Sequence, residues 1–349
     1  MKRKKQTMAD VAALAAVSPT TVARVLYGNG YVSDDARRSV EAVIERIGYR
    51  PNLMARGLKT QQSFTIGLVL GDSRRNLFYS KVAHAVQEEG LRHAYTVVSI
   101  SHNLSEDTEH SGLQRLTDQH VDALLFCPAY SPENVRRLIA DNVPVVQIGR
   151  QIAKGGCLVT ADSATGIEEA VRHLHALGHE RIAFIGGQPG VDRAEGPLEQ
   201  SVEQKRLDCI VDTMRGLGLS PNPDMFRLGP YSSPGLPQIG DLHMRELLSL
   251  PAPPTALIAG SDLLAAGALQ AIYRAGLKVP EDISVIGFDD SIAEFLSPAL
   301  TSIAQPVAEM GRLAFETALR AVRDPAERSR TVVLPTAMIH RESTAIAKR

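Results

Sequence analysis

The run VSPTTVARVLY at residues 17–27 holds Thr20, Thr21 and Arg24 within about one helical turn. At about 100° per residue they cluster on the side of a helix roughly opposite Val22, Val25 and Leu26. Two short hydroxyls and one guanidinium near a helix start suit base edges in a DNA major groove. Arginine can donate two hydrogen bonds to guanine O6 and N7, and threonine offers a hydroxyl and a methyl. Signatures of catalysis are missing by contrast: there is no GxGxxG after a strand, no P-loop, no HExxH and no GxSxG. The ten histidines are scattered, and in the one dense set, HLHALGHE, His173, His175 and His179 do not combine an i, i+4 pair with a carboxylate at metal spacing. No catalytic residue, metal or cofactor is expected. Asp289 and Asp290 are adjacent carboxylates, but nothing in the sequence orients a nucleophile toward them.

Three short helices must position the basic face. Thr7 can cap the first, with Asp10 three residues on and Val11, Leu14 and Ala15 along one side. Ser18 followed by Pro19 starts the second. Ser33 caps the third, which carries Asp34 and Asp35 in its first turn, an apolar stripe of Val40, Val43, Ile44 and Ile47, and Gly48 at its end. The pattern fits a helix-turn-helix domain, and a protein-binding three-helix bundle is the alternative. The next segment, from Pro51 to Lys59, is barely two turns long and includes Gly57, so alone in water it should be largely unfolded.

From residue 64 the chain alternates apolar runs, among them FTIGLVL, YTVVSI, VDALLFC, VPVVQIG, RIAFIGG, TALIAG and ISVIGF, with helical stretches such as 106–119, 163–177, 201–217 and 262–275. Repeated strand and helix imply parallel sheets covered on both faces. The 349 residues allow two or three domains, and 44% hydrophobic with 22% charged residues is a globular composition. Cys127, Cys157 and Cys209 are an odd number without CxxC spacing, as in reduced structural thiols. No apolar run approaches a membrane span, and MKRKK is followed by too short an apolar stretch for an export signal, so a cytoplasmic protein is expected. Residues 1–60 hold eleven Lys/Arg against five Asp/Glu, a net of +6, while the rest holds 27 against 34. A basic head on an acidic body fits a polyanionic partner for the head alone.

The run MADVAALAAVSPTTVARVL, with VSDDARRSVEAVIERIGYRPNLMARGLKT, RIAFIGG, ALIAGSDLLAAGALQAI, VPEDISVIGFDD, LTSIAQP and HREST, resembles the lactose repressor (LacI/GalR) family of bacterial transcription regulators over nearly the whole chain. The resemblance implies an N-terminal all-α helix-turn-helix DNA-binding domain at 1–60 and an α/β periplasmic-binding-protein-like (type I) two-lobed effector domain at 61–349. It implies that Arg24 reads bases with Thr20 and Thr21, and that Tyr27 stands where an asparagine is common at the end of the recognition helix. It also implies a hinge helix at about 51–59 that forms on DNA, with Leu58 wedged into the minor groove and Lys59 beside it among the DNA-binding residues. Lobe 1 would run over about 61–162 and 293–325, and lobe 2 over about 163–292 and 326–342. An effector pocket at facing strand ends would use Phe78, Arg206, Tyr231 and Asp289. A carboxylate and a guanidinium can fix hydroxyls or an anion, and aromatic faces can cover a ring.

Two departures from the family pattern bear on these expectations. Ala16 stands where the family's turn often has glycine, and Ser261 where asparagine is common, which shortens one polar contact to ligand. The partners implied are double-stranded operator DNA, a sugar, sugar acid or nucleoside-like effector, and a second copy of the chain, with no membrane. The end HRESTAIAKR carries no leucine heptad, which favours a homodimer over a tetramer. Rival readings are a sugar-binding protein without DNA function and a sugar-converting enzyme.

Overall fold

The computed structural model describes residues 6–28, 30–49, 62–71, 76–187, 202–229 and 235–348. It contains two compact units, Met1–Phe64 and Thr65–Arg349. The first is all helix: α1 (Met8–Leu14), α2 (Pro19–Tyr27) and α3 (Asp34–Ile47). Each starts where a side chain satisfies an orphan amide. Thr7 and Asp10 form a reciprocal capping box, with Asp10 Oδ2 accepting from the Thr7 amide at 2.8 Å. Ser18 Oγ accepts from the Thr21 amide at 3.1 Å, and Ser33 Oγ from the Ala36 amide. Gly28 and Gly48, both at positive φ, end α2 and α3.

The axes of α1 and α2 turn by 107°, within the range of a helix-turn-helix. Val11, Ala12, Ala15, Val22, Val40, Val43 and Tyr49 make the small core, with Val25, Leu26, Ile44 and Ile47 packed against it. Leu14, expected beside Val11, is 52% exposed, and Ala12 takes the inner position. The tight crossing of α1 and α2 admits a methyl there.

The turn is closed by Ala16 at a φ of +51°, a left-handed conformation that costs a residue bearing Cβ about 1 kcal/mol. Ala16→Gly is therefore expected to stabilise the head by about 0.5–1 kcal/mol. Hydrogen exchange of the α1 and α2 amides measures this, and unchanged or faster exchange would mean that the turn carries no strain.

In the second unit the first sheet has the order β11-β5-β4-β3-β1-β2. Its strands are β1 (Thr65–Leu70), β2 (Thr96–Ser101), β3 (Ala123–Cys127), β4 (Val145–Ile148), β5 (Cys157–Asp162) and β11 (Thr331–Pro335), all parallel. Helices α4 (Leu77–Arg92), α5 (Glu106–Asp118), α6 (Pro132–Ala140) and α11 (Val307–Arg323) belong to this lobe. One core centres on Leu68, Phe315 and Met310, and the other on Leu124 and Phe126.

The second sheet, β12-β10-β9-β8-β6-β7, contains β6 (Ile182–Gly187), β7 (Phe226–Gly229), β8 (Ala256–Ala259), β9 (Ser284–Asp289), β10 (Thr301–Ala304) and β12 (Ala337–Ile339). Only β12 runs antiparallel, against β10. Helices α7 (Ser163–Ala176), α8 (Val202–Gly216), α9 (Leu236–Leu248) and α10 (Asp262–Arg274) belong to this lobe. Gly240 and Gly267 let α9 and α10 approach closely: a Cβ on Gly267 would lie 1.8 Å from the Pro237 carbonyl.

The strand order corrects two expected boundaries. Residues 293–325 do not return as a block to lobe 1, because Thr301–Ala304 pairs parallel to β9 and completes lobe 2. Residues 326–342 do not all join lobe 2 either, because Thr331–Pro335 pairs with β5 in lobe 1. The chain crosses between lobes near Asp162, Pro306 and Thr336. Pro306 has no N–H to extend the ladder and serves instead as the N-cap of α11. Thr336 is buried and ties two crossings together: its Oγ1 donates to the Asp162 carbonyl at 2.7 Å and accepts from the Gly166 amide at 3.0 Å. Burial pushes the thiols of Cys127 and Cys157 up, as befits inert packing groups. Among the described residues no single helix is long and apolar enough to cross a membrane.

Candidate DNA interface and effector site

Helix α2 exposes Thr20 and Arg24, while Thr21 and Tyr27 are half-buried. Thr21 Oγ1 lies 2.9 Å from Ser18 Oγ, so its hydroxyl is shared with the helix cap. Arg24 passes close to Gly30, where an added Cβ would come within 3.2 Å of its Nε. Tyr27 lies near Tyr49, whose hydroxyl pKa is raised by burial first and by Tyr27 second. The face of the helix turned to solvent thus includes Thr20 and Arg24, with Thr21 half-buried at its edge. Leu58, Lys59 and the 51–59 segment lie outside the described residues.

In the second unit, Arg206 and Asp289 come together at the carboxyl ends of the lobe 2 strands. Arg206 is buried on α8 with its guanidinium carbon 3.7 Å from the centre of the Phe288 ring. It donates to Glu203 Oε1 at 3.1 Å, the Gly260 carbonyl at 3.0 Å and Ser163 Oγ at 3.3 Å. Glu203 sits three residues earlier on the same helix, so the pair is set by helical geometry. Asp289 ends β9 at a φ of +88°, and Asp290 follows at +52°, two consecutive left-handed non-glycine residues. Asp262, at the start of α10, holds that loop by accepting from the Ser291 amide (2.7 Å), the Ile292 amide (3.2 Å) and Ser302 Oγ (2.6 Å). Such strain persists because the surrounding hydrogen bonds over-determine the turn. The Ser291 side chain is buried beside the Asp289 carboxyl.

Burial is the main reason that the Asp289 carboxyl titrates well above the ordinary carboxylate range; the Asp262 charge adds to it, and Ser291 and Arg206 oppose it. Burial also raises Asp262, against the Ser302, Ile292 and Ser291 donors. A carboxyl raised in the folded state favours folding below its unfolded pKa, and that advantage is lost as pH rises through the folded pKa. Asp289→Asn, which cannot ionise, is therefore expected to raise the Tm of the ligand-free chain relative to wild type more at about pH 8 than at about pH 5. Melting curves at both pH values test this, and a pH-independent difference would mean that Asp289 is ionised throughout.

The other predicted residues fall differently. Phe78 stands in the first turn of α4, its amide capped by Asn76 Oδ1 at 2.9 Å, but its ring belongs to the lobe 1 core and meets Tyr79 edge-on. No described contact joins it to Arg206 or Asp289. Tyr231 lies outside the described residues. Ser261 spends its hydroxyl on capping α10, accepting from the Leu264 amide at 3.2 Å. His179 is a buried strut between Thr255, Ser284 and the Ala345 carbonyl, and His173 meets Thr344 Oγ1 at 3.0 Å. Among the described residues no three metal-ligating side chains converge. An open groove of about 600 Å³ beside Asp162, Glu169, His173 and His340 is lined by none of the expected effector residues.

Sequence reasoning missed Glu203, Ser163, Phe288, Asp262 and Lys81. The i, i−3 spacing to Arg206 could have found Glu203, and adjacency to Asp289 could have found Phe288. Lys81 donates from α4 of lobe 1 to the Asp290 carbonyl of lobe 2 at 2.9 Å, which marks where the two sets of strand ends face each other.

A helix-turn-helix head joined to a two-lobed α/β body with a buried carboxylate and guanidinium at its strand ends defines a ligand-responsive DNA-binding regulator. Residues 7–52 match the model for bacterial regulatory proteins, lacI family, and residues 171–344 that for a periplasmic binding protein-like domain. The chain is 33% identical over 342 residues to the ribose operon repressor of Escherichia coli (strain K12), covering 97% of this chain and 99% of that protein. It is 33% identical over 319 residues to the HTH-type transcriptional repressor CytR of the same strain, covering 89% of each. Among solved structures, the Lac repressor dimer bound to operator and the anti-inducer ONPF superposes with a TM-score of 0.75 at 26% identity, over 98% of this chain and 100% of that one. The chain belongs to the LacI family of bacterial regulatory proteins.

Proposed function

We propose that this chain is a transcriptional repressor that binds a near-palindromic operator as a homodimer and is controlled by a small sugar-like effector held between its lobes. The observation that carries the reading is the presence in one chain of the exposed Thr20 and Arg24 face and the buried Arg206 and Asp289 pair. The Lac repressor dimer bound to operator, and relatives with ribose in their names, support operator DNA, dimerisation and a sugar effector for this chain as well. In this reading Leu58 wedges a central base step and Lys59 meets phosphate, with a kink that costs a few kcal/mol. Closure of the lobes changes the spacing of the two 51–59 segments, and with it their ability to order on DNA. Tyr231 joins Asp289 and Arg206 around the effector. The protein acts in the cytoplasm, and no catalytic role is assigned to it.

Selection of duplexes from a random pool by the full chain, repeated with ribose, other sugars, sugar acids and nucleosides, tests the reading. A palindromic sequence should be enriched, and at least one compound should change its retention. Absence of any enriched duplex would overturn the proposal, and turnover of a retained compound would revive an enzyme.

A further inference from the structure

The charges at the facing strand ends are nearly all committed to one another. Arg206 is paired with Glu203, both buried. The Asp290 carboxylate is held by both terminal nitrogens of Arg341, at 2.6 and 3.2 Å. Asp262 accepts three hydrogen bonds, and Asp289 accepts from the Ser291 amide at 2.9 Å. Lys81 is different. It sits one turn beyond Phe78 on α4, and among the described residues its ammonium meets only a neutral acceptor, the Asp290 main-chain carbonyl. A cation with a neutral partner can stay hydrated in an open crevice, but lobes that close over a neutral ligand would strip its water without compensation.

We propose that Lys81 is the anion-recognising residue of the crevice, and that the effector is a small polyhydroxylated anion bearing a carboxylate or phosphate group. The inference rests on the reading of this crevice as the effector site. Lys81 supplies a charge from lobe 1, while Asp289, with Ser291 beside it, supplies hydroxyl recognition from lobe 2, so the ligand itself bridges the lobes. The raised carboxyl of Asp289 fits the same ligand, since in its protonated form it repels an anion less.

The test is isothermal titration of the full chain with ribose against ribose 5-phosphate, glucose against glucose 6-phosphate, and glucose against gluconate. At least one anionic member should bind at least tenfold more tightly than its neutral partner. Lys81→Met should cut that affinity at least tenfold and close the gap between the partners, and Lys81→Arg should restore most of it. The phosphate and carboxylate arms identify which anion is taken. The proposal is overturned if no anionic member binds, if the neutral members bind equally well or better, or if Lys81→Met weakens both members equally, as loss of a mere inter-lobe tether would. A neutral sugar that binds and releases an operator would overturn this proposal and leave the repressor reading standing, whereas failure to select any duplex would strike that reading itself.

Discussion

Replacing Arg24 by alanine is expected to cost the dimer about 2–6 kcal/mol of operator selectivity. A bidentate arginine–guanine contact contributes about 1–3 kcal/mol of base discrimination, and a two-fold complex contains two of them. Arg24 is the one cation of α2, and Thr21 beside it already shares its hydroxyl with Ser18, so the helix offers no second bidentate donor. Affinity for random duplex should fall little and keep its steep dependence on salt, because that term comes from phosphate contacts. Parallel titrations of operator and random competitor at fixed salt measure the difference. An equal loss on every duplex would reduce Arg24 to a phosphate contact.

The second large effect concerns the body. Asp289→Ala should weaken effector binding by about 2–5 kcal/mol, the usual result of deleting one member of a buried polar recognition pair, and so abolish the response at working concentrations. Asp289 is 6% exposed, held at positive φ beside a loop that Asp262 fixes with three hydrogen bonds, and its environment includes Arg206. Alanine removes the carboxyl and leaves Arg206 stacked on Phe288 and paired with Glu203. Titration with whichever compound the wild type retains is the measurement, with operator binding in its absence as the check on folding. A variant that responds like wild type would place the effector elsewhere.

The head was legible because its signals are local. Thr7 with Asp10, Ser18 with Pro19, Ser33 and Gly48 act within four residues of where they sit, and each cap forms as the sequence implies. Leu14 was misread because a seven-residue helix does not define its inner stripe: the crossing with α2 chose Ala12. In the body, the apolar runs announced strands, but sheet membership depends on pairing partners far along the chain. LTSIAQP and TVVLP look alike, yet one pairs with β9 and the other with β5. Arg206 and Asp289 were named through family resemblance, and the groups that fix them were not. Ser163 and Gly260 lie 43 and 54 residues from Arg206, and no periodicity connects such distances. Ser261 is the opposite case, since serine before Asp-Leu-Leu at a helix start is an ordinary capping pattern.

The single residue Thr336 separates β11 from β12, and these two strands are the outer edges of different sheets. During synthesis an N-terminal unit folds first, whereas neither sheet can gain its outer strand until residues 331–339 emerge. A chain terminated before Thr331 would therefore carry the three helices of the head on a body in which each sheet lacks an edge strand.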